Sequence, residues 1–182
     1  PRTMRQLLAI SPQRQPTASG QPLAENATPM KLVDFVRPEL IIPELTGRTK
    51  PQVIAELARH LAKTQPSIDA EALSRVLMER EDLASTAIGE DIAIPHGKLP
   101  SATRMLGCVA RSSRGVEFNS IDGKPTHLFF VLVGPDHATG PHLRALARIS
   151  RVFKDLDFRQ RLLKAPTAAE IFRVLSDEDA KY

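Results

Sequence analysis

The chain has 182 residues, of which 42% are hydrophobic and 25% charged, the proportions of one soluble globular domain. Lys and Arg number 25 against 21 Asp and Glu, a net charge of +4, and aromatic residues make up only 4% with no Trp. That basic excess is too small, and the stacking side chains too few, for nucleic-acid binding to lead.

A chain of this length buries about 70% of its unfolded surface, so its core needs neither disulfide nor metal. Cys108, the single cysteine, lies in an apolar stretch and suits a reducing compartment. The apolar run Leu128 to Val133 is too short to cross a bilayer, and the N-terminal residues lack a signal-peptide pattern. A cytoplasmic protein with no membrane insertion is expected.

Residues 1–29 hold five of the fifteen prolines among Gln, Ser, Thr, Ala and Gly, and beyond Leu7 to Ile10 they have little to bury. A flexible N-terminal arm is expected there. Its Arg2, Arg5 and Arg14 against Glu25 give 3 − 1 = +2, half of the net charge. The folded domain is expected over residues 30–182, beginning where Leu32, Val33, Phe35 and Val36 change the texture.

Thr49 followed by Pro51 marks a helix start, and Val53, Ile54, Leu57 and Leu61 repeat at helical spacing to about Lys63. Asp69 caps a second helix, whose stripe of Leu73, Val76 and Leu77 ends in the charged run from Glu79 to Asp82. Three strand-like runs follow, at Ile92–Ile94, Met105–Ala110 and Leu128–Val133, separated by Gly115, Gly123 and Pro125. Helices return from about Pro141 to Phe153 and from Thr167, where Thr167 and Glu170 form a T-x-x-E capping box. The order helices, strands, helices points to a sheet covered on both faces.

Chemistry concentrates between Arg80 and Lys98, in REDLASTAIGEDIAIPHGK. His96 stands at a strand end between Pro95, with its fixed φ, and Gly97, which has no Cβ. A nucleophilic imidazole needs one nitrogen exposed and the other held in a defined tautomer. Gly97 permits a bulky group near the backbone, and Lys98 favours an anionic one. His142 follows Gly140 and Pro141 at a helix start, where free amides and the helix dipole favour negative charge. Donors from Arg80, His142 and Thr86 suit the oxygens of a phosphoryl group carried on His96. No Walker-type loop is present.

The segment from Arg80 to Lys98, with IGEDIAIPHGK inside it, resembles the phosphorylation-site segment of type 2 IIA components of the bacterial phosphoenolpyruvate-dependent phosphotransferase system, the mannitol/fructose class. Within that class it is most similar to the nitrogen-regulatory branch. The resemblance runs from about Met30 to Leu175 and includes GPHLRALARIS. It implies a three-layer α-β-α sandwich of the α/β class with a mixed sheet flanked by helices.

The resemblance also implies that His96 accepts a phosphoryl group from the phosphohistidine of a small phosphocarrier protein, with His142 and Arg80 stabilising it. Thr86, Gly89, Gly97 and Lys98 belong to the same motif in supporting roles. No cofactor and no metal are implied. The implied partners are the phosphocarrier donor and regulated target proteins, with a IIB domain replacing the targets if the chain serves sugar transport.

Rival readings rest on less. A metal hydrolase would use His96, His142 and Asp91 or Asp136, but no H-x-H, H-E-x-x-H or C-x-x-C spacing occurs. A serine hydrolase lacks its G-x-S-x-G elbow. His60 and His127 read as structural, while His137 lies close enough in sequence to border the pocket. The basic stretch Arg144, Arg148, Arg151, Lys154, Arg159, Arg161 and Lys164 reads as the solvated side of an amphipathic helix pair rather than a nucleic-acid face.

Overall fold

The computed structural model describes residues 30–182; the arm expected over 1–29 lies outside them. A mixed six-stranded sheet forms the middle layer. Its strands are β1 (Val36–Ile42), β2 (Ala87–Gly89), β3 (Ile92–Ala93), β4 (His96–Lys98), β5 (Leu106–Val116) and β6 (Thr126–Gly134). The order is β1-β5-β6-β3-β2, with β4 also pairing β6. β1 runs parallel to β5, β5 antiparallel to β6, and both β3 and β4 parallel to β6.

The alternation along β6 sets the layers. Phe129, Val131 and Val133 point into one buried cluster, and Leu128, Phe130 and Leu132 into the other. A strand covered on both faces therefore reads as an unbroken apolar run. The first cluster is closed by α1 (Lys50–Thr64) and α2 (Ala70–Leu83), through Leu57, Leu61, Leu73 and Leu77. The second is closed by α3 (Thr139–Val152), α4 (Leu156–Lys164) and α5 (Ala168–Asp179), through Ile149, Phe158, Leu162 and Leu175. The result is a three-layer α-β-α sandwich.

Local chemistry explains the helix starts. The Thr49 side chain accepts from the Gln52 amide while the Gln52 side chain accepts from the Thr49 amide, a capping box with Pro51 in the first turn. Asp69 accepts from the Ala72 amide at 2.7 Å. The box at Thr167 is modified: its hydroxyl accepts from the Glu170 amide but donates to the Glu170 carboxylate at 2.8 Å. α3 begins two residues before the Pro141 start read from periodicity, which puts His142 inside its first turn.

Candidate active site

The strand run that delivers His96 keeps one register along β6, Ala93 facing Phe129 and His96 facing Leu132. On its outer side, β2 pairs antiparallel with β3, and the last bond of this ladder is the Ile94 amide donating to the Thr86 carbonyl at 2.9 Å. Before Thr86 the chain leaves for α2, and the Ile94 carbonyl instead accepts from Nδ1 of His96 at 2.8 Å. That bond fixes the proton on Nδ1, and the lone pair of Nε2 accepts from Arg80 Nε at 3.2 Å. Burial, ahead of the Arg80 charge, lowers the His96 pKa below the ordinary imidazole value despite the opposing Ile94 bond. A neutral imidazole with its unprotonated nitrogen facing Arg80 is the outcome.

Gly97 lines the cleft beside His96, and its missing side chain has a second consequence. A Cβ built there would lie 2.5 Å from Cγ1 of Val76, so the missing side chain seats α2 on β4. Val76 and Arg80 share one face of α2 at i,i+4 spacing. The close approach made at Val76 therefore delivers Arg80 to His96.

His142 closes the site from α3. Its ring lies edge-on to that of His96 with centroids 5.9 Å apart. The residue is only 4% exposed, yet neither ring nitrogen has a hydrogen-bond partner among the described residues. Leaving a buried polar atom unpaired costs about 1–3 kcal/mol. Burial, then the neighbouring His96 and Lys98, pushes the His142 pKa down to about 4. Gly134 lies beneath the ring: a built Cβ there would lie 2.5 Å from Met105 Sδ, a clash, and 3.4 Å from His142 Nδ1, ordinary contact.

Arg80, His96, Gly97, Lys98 and His142 line one open cleft, bounded further by Asp136, Thr139, Leu143 and Leu146. Lys98 Nζ donates to the Thr139 hydroxyl at 2.7 Å. α3 starts there with no side-chain cap and no acidic residue in its first turn, so its first amides and dipole end are left to the cleft.

Two expected supporting residues line no part of this cleft. Thr86 is buried, and its amide and hydroxyl both donate to Glu81 Oε2, at 2.9 and 2.6 Å. Its hydroxyl is taken up by Glu81 and is not free to donate into the cleft, although the residue lines a smaller hollow with Arg80 and His96. Gly89 has φ +88° and opens the tight turn between β2 and β3, where Glu90 and Asp91 also have positive φ. It shapes the hairpin and is absent from the cleft wall.

His137 is exposed and outside the cleft. His60 bonds the Glu39 carbonyl at 2.9 Å, and His127 pairs with Asp91 at the same distance. Asp91 is thereby engaged away from His96, and among the described residues no three His, Cys, Asp or Glu side chains gather as metal ligands would. The basic stretch is not uniformly solvated. Arg148, Arg159 and Arg161 pair with Asp179, Glu90 and Glu178, and Arg159 is buried, while Arg144, Arg151, Lys154 and Lys164 are exposed. Sequence reading missed the acidic partner of Thr86, because Glu81 stood inside a run of charges that looked solvated.

With this geometry in view, residues 34–178 match the family model described as the phosphoenolpyruvate-dependent sugar phosphotransferase system, EIIA 2. A nitrogen regulatory protein of Bradyrhizobium diazoefficiens is 41% identical over 147 residues, covering 81% of this chain and 95% of that protein. The nitrogen regulatory protein of Pseudomonas aeruginosa is 33% identical over 148 residues, covering 81% and 96%. The crystal structure of nitrogen regulatory protein IIA-Ntr from Neisseria meningitidis superimposes with a TM-score of 0.72 at 28% identity, over 78% of this chain and 97% of that one. No helix among the described residues is long and apolar enough to cross a membrane. By its sequence over most of its length and by its fold, the chain belongs to the type 2 EIIA family of the phosphotransferase system.

Proposed function

We propose that this chain is a phosphohistidine carrier in which Nε2 of His96 accepts a phosphoryl group from the phosphohistidine of a small phosphocarrier protein. The observation that carries this reading is the unpartnered His142, a buried imidazole held beside the nucleophile with no bond of its own. A buried donor without a partner is accounted for when a ligand brings the acceptor.

In the transfer, the Nε2 lone pair attacks phosphorus in line as the bond from phosphorus to the donor imidazole breaks. The departing imidazole keeps the electron pair. The proton stays on His96 Nδ1, donated to the Ile94 carbonyl throughout, so no general base is needed. Arg80 moves its donors from Nε2 onto the phosphoryl oxygens, and a ring N–H of His142 donates a hydrogen bond to another phosphoryl oxygen. Both are in place beforehand, so catalysis is mostly positioning and electrostatics. The phosphoryl group adds about two negative charges at an open cleft, enough to change which protein surfaces fit against it.

The two relatives named nitrogen regulatory protein favour a role in regulating target proteins over passing phosphate to a IIB domain for sugar transport. Residues 30–182 carry this function as one domain, in the cytoplasm, without a metal or organic cofactor. Incubation with phosphoenolpyruvate, enzyme I and an active phosphocarrier should add one acid-labile phosphate to the wild type and none to His96→Ala, read by intact mass. Equal labelling of both proteins overturns the assignment.

A further inference from the structure

Both ring nitrogens of His96 lead back to neighbouring residues at the end of α2. On one side Arg80 Nε donates to Nε2 at 3.2 Å. On the other, His96 Nδ1 meets the Ile94 carbonyl at 2.8 Å, the Ile94 amide donates to the Thr86 carbonyl at 2.9 Å, and the Thr86 amide and hydroxyl donate to Glu81 Oε2. The remaining carboxylate oxygen, Oε1, accepts from Lys50 Nζ at 2.9 Å. Glu81 is 3% exposed, and it belongs to no wall of the cleft.

We infer that Glu81 is the positioning residue of the site: it ties the last turn of α2 to the start of β2, and through Thr86 and Ile94 it sets the tautomer and aim of the His96 ring. The inference rests on the phosphoryl-acceptor reading for its kinetic consequence but not for its geometric one. The N–H and carbonyl of Thr86 belong to successive peptide groups, as do those of Ile94, so the linkage is positional: the Glu81 bonds fix Thr86, and Thr86 fixes Ile94. Thr86 therefore links the carboxylate to Ile94, and Ile94 links it to the imidazole. Burial opposes ionisation of Glu81, and the bonds from the Thr86 side chain, Lys50 and the Thr86 backbone overcome it, holding the pKa below the usual carboxylate value. The acceptor is thus ionised wherever the site is in use.

Nitrogen-detected NMR of histidine-labelled, unphosphorylated protein reads the geometric part directly. Wild type should show His96 as the single Nδ1-protonated tautomer, and Glu81→Ala should show averaged tautomers. In the phosphocarrier assay Glu81→Ala should accept phosphate about tenfold or more slowly, since small misplacements of a reacting group carry losses of that order. The double variant Lys50→Met with Glu81→Gln keeps an acceptor for Thr86 without a buried charge, and it should restore both readouts towards wild type.

Thr86→Val removes only the hydroxyl bond and should move both readouts less far in the same direction, which keeps the test open if Glu81→Ala does not fold. A folded Glu81→Ala with an unchanged tautomer and rate overturns the inference, and so does an unchanged Thr86→Val where Glu81→Ala does not fold. A wild type that accepts no phosphate yet loses its tautomer in Glu81→Ala overturns the function and leaves the positioning intact.

Discussion

Helix α3 turns two basic side chains inward, His142 buried and Arg148 half-buried, and treats them in opposite ways. Arg148 is fully engaged: it bonds the Asp179 carboxylate at 2.6 and 3.0 Å, the Asp179 carbonyl at 2.8 Å and the Tyr182 carbonyl at 3.1 Å. Asp179 in turn accepts from the Val33 amide, so the pair fastens α3, the C-terminus and the start of the domain together. His142, six residues earlier on the same helix, is more deeply buried and bonds nothing among the described residues. A buried group that is satisfied holds the fold, whereas the unsatisfied His142 beside His96 is, in the function proposed above, held ready for a ligand.

The contrast breaks most visibly at Arg148. Arg148→Ala strands the buried Asp179 charge and should cost about 3–5 kcal/mol in urea unfolding, while the protein that remains folded still accepts phosphate. His142→Ala should do the reverse. Its stability at neutral pH should stay near wild type, and phosphate acceptance should fall about 100-fold, the usual loss for one preorganised donor to a developing anion; rapid-quench kinetics would read it. A wild-type rate in that variant would reduce His142 to packing.

Acid sharpens the same comparison. Above the ordinary imidazole pKa of 6.5, His142 is neutral whether the chain is folded or not. Below it the unfolded chain takes up a proton that the folded chain refuses until about pH 4. Stability should therefore fall with falling pH across that window, by about 1 kcal/mol per unit from this residue. The burial-lowered pKa of His96 adds in the same direction. Urea midpoints measured across the window should fall less steeply in His142→Ala. The smallest effect is expected at Lys98, whose charge is a lesser contributor to the lowered His142 pKa. Lys98→Ala should raise that pKa slightly in an NMR titration.

Much of the layering was legible in the sequence because it follows from period and caps. The stripes of α1 and α2, the apolar run of β6 and the Thr49, Asp69 and Thr167 starts are local signals. The pairing of His96 with Arg80 and His142 was expected from donor chemistry and from the family resemblance. What stayed hidden depends on contacts between distant elements. β1 and β4 carry no clean alternation, because β1 interrupts its apolar residues with Arg37, Pro38 and Glu39 and β4 is the short motif His96–Lys98 itself. The role of Gly97 needed Val76 from another helix. Thr86 looked like a phosphoryl donor because its acidic partner lies behind the site, and the basic stretch looked solvated because its partners lie in Glu90, Glu178 and Asp179.

The most direct test of the unsatisfied imidazole is a titration of its ring nitrogens by NMR before and after His96 is phosphorylated. Unphosphorylated protein should show His142 titrating near pH 4. A phosphoryl dianion within hydrogen-bond reach should raise that value by about one unit or more and shift the resonance of the donating nitrogen. A His142 that titrates identically in both states contradicts its role as the waiting donor.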